Sequence, residues 1–159
     1  MKNLALLTSK WLSRVGQTLG ICESCTGGML SSMITSIPGS SNYFKGGIVA
    51  YSNEIKEKIV GVKSITLKKF GAVSGQTAKE MARKVRYITK SDIGVSITGI
   101  AGPGGGTKEK PVGLVYIAVA DKVNVLVYKF QFSGNREQIR RKACANALKQ
   151  LVKFIKEIK

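Results

Sequence analysis

Three short segments of the chain carry nucleophiles, glycines and an amine just where apolar, strand-like runs end. The first is Glu23-Ser24-Cys25-Thr26-Gly27-Gly28, the second Tyr51-Ser52-Asn53-Glu54-Ile55-Lys56, and the third Thr98-Gly99-Ile100-Ala101-Gly102-Pro103-Gly104-Gly105-Gly106. Hydroxyls and thiols become nucleophiles once a base takes their proton. N–H groups opening a helix can hold an anion or a developing oxyanion. A plain strand-to-helix turn needs a cap and one Gly, so six small or polar residues at 23–28 exceed that need. Tyr51 and Lys56 are spaced to converge on one cleft, although a lone Lys early in a helix is ordinarily just solvated. The third segment follows a strand, opens no helix and lacks a Gly-Lys-Ser/Thr ending. It therefore matches neither the P-loop nor the Gly-x-Gly-x-x-Gly fingerprint. A phosphate or ribose cradle and a plain surface loop both fit it.

What is missing narrows the chemistry. The chain has no His, which excludes Ser-His-Asp and Cys-His catalysis and any His-built metal site. The base of a hydrolase must then be Lys, a carboxylate, Tyr or bound water. No Gly-x-Ser-x-Gly elbow occurs and no Ser precedes a Lys by three, so any Ser–Lys pair must come from separate segments. Cys22 and Cys25 form a Cys-x-x-Cys spacing, with Cys144 the only other cysteine. That spacing reads either as a redox pair or half a metal site, or as a strand end and a small packing residue. Zinc would need ligands the chain does not have. Spacing alone leaves the reaction open.

The elements that must position these residues follow from periodicity. Helices are expected over residues 3–15, 26–37, 54–60 (capped by Asn53), 64–70, 74–89 and 134–159. In the last, Cys144, Leu148, Leu151, Val152 and Ile155 face inward. Strands are expected over 18–22, 44–52, 92–98, 112–120 and 123–132, with Asp121 and Lys122 alone turning the final hairpin. Helices around about five strands predict a single three-layer α/β domain over residues 1–159, its sheet mixed because of the hairpin. Strand C-termini in such sheets are where ligands bind. All three segments lie there.

Composition is globular, with 43% hydrophobic residues in 159. No apolar stretch reaches the roughly 18 residues that span a bilayer. The N-terminus reads as an amphipathic helix, not a secretory signal, so a cytoplasmic address and no membrane partner are expected. A formal net charge of +17, from 26 Lys and Arg against 9 Asp and Glu, suits an anionic partner or simply well-solvated faces. The cations are scattered without interleaved aromatics or a nucleic-acid module, so nucleic acid is not the expected partner.

At its motif residues the chain resembles the CinA C-terminal domain family, over nearly its whole length. The resemblance rests on Glu23-Ser24-Cys25-Thr26-Gly27-Gly28, Pro38-Gly39-Ser40-Ser41, Tyr51-Ser52-Asn53, Lys56, Gly61-Val62 and Gly71-Ala72-Val73-Ser74. It continues through Thr98-Gly99-Ile100-Ala101-Gly102-Pro103, Lys110-Pro111-Val112-Gly113 and the closing Arg-rich helix. Standalone members are nicotinamide-nucleotide amidohydrolases. The resemblance thus implies deamidation of nicotinamide mononucleotide to nicotinic acid mononucleotide and ammonia. It implies Ser24 as nucleophile, Lys56 as general base and Tyr51 as its partner, with Thr98 and Gly99 nearby and no cofactor. A homo-oligomer, taken as a dimer, is expected on the same ground.

An unperturbed Lys, with a pKa of about 10.4, is protonated at neutral pH, but desolvation lowers it by several units. Backbone N–H groups around Thr26, Gly27 and Gly28 are candidates for the oxyanion hole, or for phosphate instead. Arg136 and Arg140, four apart, are the candidate phosphate fork. The rival reading is a competence- or damage-associated nucleic-acid or nucleotide-binding module without turnover.

Overall fold

Strand order decides where a ligand can sit in this domain. In the computed structural model, which describes residues 1–157, the strands are β1 (Leu19–Glu23), β2 (Phe44–Val49), β3 (Ile93–Gly99), β4 (Leu114–Ala120) and β5 (Val125–Gln131). They form one sheet in the order β2-β1-β3-β4-β5. β1 runs parallel to both β2 and β3, whereas β3–β4 and β4–β5 are antiparallel. The expected mixed sheet of five strands is present. From β1 the chain crosses to one side to make β2, then returns to the other side to make β3. The carboxyl ends of β1 and β3 therefore flank a topological switch point, the crevice where α/β sheets take ligands.

Helices α1 (Lys2–Val15), α2 (Met29–Thr35) and α6 (Arg136–Glu157) cover one face of the sheet. α4 (Ser64–Phe70) and α5 (Gly75–Ile88) lie on the other. Between β2 and α4 a single turn, α3 (Asn53–Ile55), runs into a π-helical turn over Lys56–Val60. The larger core, including Leu12, Ile21, Val95, Ile117, Leu148 and Phe154, fills the α1–α6 side. The α5 side is tighter, built partly from Ala78, Ala82, Ala118 and Ala120. A Cβ at Gly94 would strike the Ala82 carbonyl oxygen and the Arg86 side chain, so β3 has a glycine where α5 presses on it. Cys144, Leu148, Leu151, Val152 and Ile155 are buried as their spacing predicts.

Several boundaries differ from expectation, each for a local reason. α2 begins at Met29 and not at residue 26, because Gly27 (φ 58) and Gly28 (φ 94) take left-handed conformations that no helix admits. β2 ends at Val49, opposite Glu23, the last residue of β1, and its final ladder bond runs from the Ala50 N–H to the Glu23 carbonyl at 2.8 Å. Ser52, not Asn53, caps the following turn, its Oγ accepting the Ile55 N–H at 3.2 Å. The hairpin turn takes residues 121–124, since the Asp121 carboxylate accepts the N–H groups of both Val123 and Asn124. α6 starts at Arg136, preceded by reciprocal Asn135–Gln138 hydrogen bonds at 2.9 Å. Its expected continuation to Lys159 lies outside the described residues. Among those residues no helix is long and apolar enough to cross a membrane.

Candidate active site

Ser24 is the first residue beyond β1, and its N–H is pinned to the Ile97 carbonyl of β3 at 2.9 Å. The preceding residue does the structural work of the turn. Glu23 is wholly buried, and its carboxylate accepts hydrogen bonds from the N–H groups of Gly28 (3.2 Å), Leu30 (3.0 Å) and Ser31 (2.8 Å) and from Ser31 Oγ (2.8 Å). One side chain thus satisfies the N-terminus of α2, which would otherwise be a vacant anion site. The Glu23 carbonyl meanwhile holds the Ala50 N–H.

Ala50 passes that constraint on to the amine. Lys56, 1% exposed, brings Nζ 2.8 Å from the Ala50 carbonyl, 3.4 Å from the Tyr51 carbonyl and 2.9 Å from Ser24 Oγ. Two of these neighbours can only accept, and the third is a hydroxyl. A neutral amine, with two N–H groups and one lone pair, fits that set with the lone pair on Ser24. Burial lowers the Lys56 pKa from its ordinary value, and the neighbouring Cys22 and Cys25 thiols only partly oppose it. Among the described residues no carboxylate pairs with this amine.

Ser24 and Lys56 open onto a cavity of about 250 Å³, smaller than the ~300–1,000 Å³ of ordinary drug-sized pockets. Its walls include Cys25, Val73, Thr98 and the glycine-rich loop after β3. On its solvent side Arg136 donates from Nη2 to the Tyr51 hydroxyl (2.9 Å) and from Nη1 to the Gly102 carbonyl (2.7 Å). A buried hydroxyl–amine pair in a small cavity rimmed by a guanidinium can carry out acyl transfer on an anionic substrate.

The CinA C-terminal domain matches residues 1–155. The chain belongs to the CinA C-terminal domain family. A putative competence-damage inducible protein of Caldanaerobacter subterraneus subsp. tengcongensis is 51% identical over 92% of this chain and 35% of its own length. A CinA-like protein of Endomicrobium trichonymphae is 53% identical over 91% and 34%. The chain spans about a third of the length of these curated relatives. Among solved structures, the competence/damage inducible protein CihA of Agrobacterium tumefaciens aligns with a TM-score of 0.92 at 40% identity, covering 95% of this chain and 93% of that one. A CinA superfamily protein of Klebsiella pneumoniae reaches 0.95 at 28% identity, covering 98% of both.

Within this CinA domain, six of the expected site residues line one cavity: Ser24, Tyr51, Lys56, Thr98, Gly99 and Arg136. Thr98 Oγ1 donates to the Ala72 carbonyl at 2.8 Å, tying β3 to the segment before α5. Tyr51 differs from expectation. The residue is 60% exposed and its hydroxyl meets Arg136, so its hydrogen bond with Lys56 runs through its backbone carbonyl.

The remaining expected residues lie elsewhere. Gly27, Gly28 and Arg140 line a neighbouring depression of about 470 Å³. Thr26 is fully buried and lines neither space, its Oγ1 without a partner. The Gly27 N–H donates to the Ser24 carbonyl and the Gly28 N–H to Glu23, so neither is available to an oxyanion or a phosphate. Arg136 and Arg140 are not one fork either, because Arg140 Nη2 holds the Thr26 carbonyl at 2.8 Å.

The redox reading of Cys-x-x-Cys is disfavoured by the burial of both free thiols. Burial pushes the Cys22 thiol up to about 12 and Cys25 up to about 11, the reverse of what a reactive thiolate needs. Among the described residues no group of three or more His, Cys, Asp or Glu is placed to hold a metal ion. Sequence reasoning missed Glu23 and the Ala50 carbonyl. Glu23 stood inside the first segment, and its carboxyl side chain among small residues was a usable signal. Nothing in the sequence marks a carbonyl.

Proposed function

We propose that the chain is an amidohydrolase that deamidates nicotinamide mononucleotide to nicotinic acid mononucleotide and ammonia. The observation that carries this reading is the 2.9 Å separation of Ser24 Oγ and a buried, carboxylate-free Lys56 Nζ. Lys56 takes the Ser24 proton as the oxygen attacks the amide carbon. The resulting ammonium then protonates the leaving nitrogen, so ammonia departs and an acyl-enzyme remains. Water, activated by the same amine, releases the acid and regenerates the serine.

With the Gly27 and Gly28 N–H groups occupied, the oxyanion role passes to the N–H of Cys25, the residue after Ser24, which lines the cavity. The small cavity suits the carboxamide ring, leaving ribose and phosphate at the rim beside Arg136, with Arg140 one turn further along α6. A homodimer belongs to the same reading and is checked by light scattering.

The deciding assay is ammonia release from nicotinamide mononucleotide, with plain nicotinamide as control. The wild type releases ammonia from the nucleotide, and Ser24→Ala loses at least about a thousandfold in kcat while keeping its fold. Full activity in that variant would remove Ser24 from the mechanism. A binding module without turnover releases none in either form.

A further inference from the structure

We propose that the α4–α5 face binds single-stranded nucleic acid, a role separate from the hydrolytic cavity. The fold gathers there what the sequence scatters. A groove of about 490 Å³ between α4 and α5 is lined by Lys63, Lys79, Arg83 and Lys84. From Arg83 and Lys84 the surface continues into a second depression of about 380 Å³, which adds Arg86, Lys122 and Tyr87. None of these residues lines the cavity at Ser24.

The acids that line these two depressions, Glu80 and Asp121, are fewer than the cations. The Glu80 carboxylate accepts the Lys63 N–H and Thr66 Oγ1. That of Asp121 accepts the Val123 and Asn124 N–H groups. The three ion pairs among the described residues, Lys58–Glu54, Arg141–Glu137 and Lys153–Glu157, all lie elsewhere. The six cations of this face outnumber its carboxylates, Glu80, Asp121 and the neighbouring Asp92, the last two of which act on Arg86. A polyanion is the complement of such a groove.

Tyr87 decides which polyanion. It is 78% exposed and stands one residue from Arg86 and four from Arg83, so a ring sits in the second depression, at the end of the basic groove. From Lys79 to Tyr87 the helix rises about 12 Å at ~1.5 Å per residue, room for a short run of backbone phosphates. An exposed ring beside a basic groove gives a single strand both a track for its phosphates and a face on which to stack a base. A duplex has its bases already stacked and offers the ring nothing. A bilayer surface would not follow cations into a groove.

The test is fluorescence anisotropy of the full chain with a labelled oligothymidylate of about 12 nucleotides, within the ~4–16 of single-strand sites, titrated with salt. Contact with about four phosphates gives a slope of log K against log salt near −3, at about −0.7 per phosphate. Lys79→Glu combined with Arg83→Glu should weaken binding by roughly tenfold or more and flatten that slope. Lys10→Glu combined with Lys149→Glu, which removes the same charge from the α1–α6 layer, should cost only a small part of that. Tyr87→Ala should cost about tenfold on the single strand and nothing on a duplex of equal length. Amide hydrolysis should be unchanged in all three variants, which also reports their folding. Equal losses in the two double variants would make the attraction one of overall charge and overturn the proposal. So would tighter binding to phosphatidylglycerol vesicles than to the oligonucleotide, or no binding at low salt.

Discussion

Burial penalises the protonated form of Lys56, and only two carbonyl oxygens and a hydroxyl stand around its amine. The lowered pKa has two consequences of opposite cost. For activity, kcat/KM should rise with pH along a limb below lysine's ordinary pKa of about 10.4, as Lys56 deprotonates and becomes a base. For stability, the unfolded chain holds one more proton than the folded one between the lowered value and about 10.4. Stability from this residue therefore rises with pH across that window and is lost as pH falls through the folded pKa. Lys56→Met should be inactive and should lack this dependence, so that wild type loses ground to the variant as pH is lowered. Parallel denaturation curves at several pH values check it; two curves that stay parallel would mean an unshifted amine.

Glu23 makes a second prediction at this scale. In Glu23→Gln an amide NH₂ replaces one acceptor oxygen and faces a backbone N–H of α2. The buried unpaired donor should cost about 1–3 kcal/mol of stability. Because the Ser24 turn loosens, kcat should fall more than KM rises. Urea titration and steady-state kinetics on the same preparation separate the two effects. A variant of wild-type stability and kcat would make the carboxylate dispensable.

At the scale of elements, what was legible in the sequence was what repeats. α1, α5, β3 and the inward face of α6 follow from apolar spacing over many residues, and each lies where that spacing predicts. The beginning of α2 was not legible, because it depends on two glycines turning left-handed and on a carboxylate reaching forward from β1. The π-helical turn at Lys56 is equally local, set by backbone bonds that no composition encodes. The Arg136–Arg140 pair shows the limit of helical spacing. Four residues place two side chains on one face, but they reach different carbonyls.

The α5–β3 contact tests the element-level account directly. Gly94→Ala sets a methyl against the Ala82 carbonyl, and the helix must move off the strand. The expected cost is about 1–3 kcal/mol, read from thermal melting. An unchanged melting temperature would show that α5 does not rest on β3 as described.

For the whole molecule, the outer wall of the cavity is stitched from three stretches distant in the chain. Tyr51 follows β2, Gly102 belongs to the loop after β3, and Arg136 opens α6. A guanidinium gives up two neutral acceptors for an anion that offers stronger, charge-assisted bonds. The phosphate of a mononucleotide is such an anion, and an uncharged ring is not. Arg136→Met should therefore lower kcat/KM for nicotinamide mononucleotide and raise that for plain nicotinamide, shrinking the ratio between them. An unaltered ratio would leave Arg136 as scaffolding only. If the proposed reading holds, a wall that answers to charge would discriminate at the threshold and turn away a neutral amide of the right shape before it reached the serine.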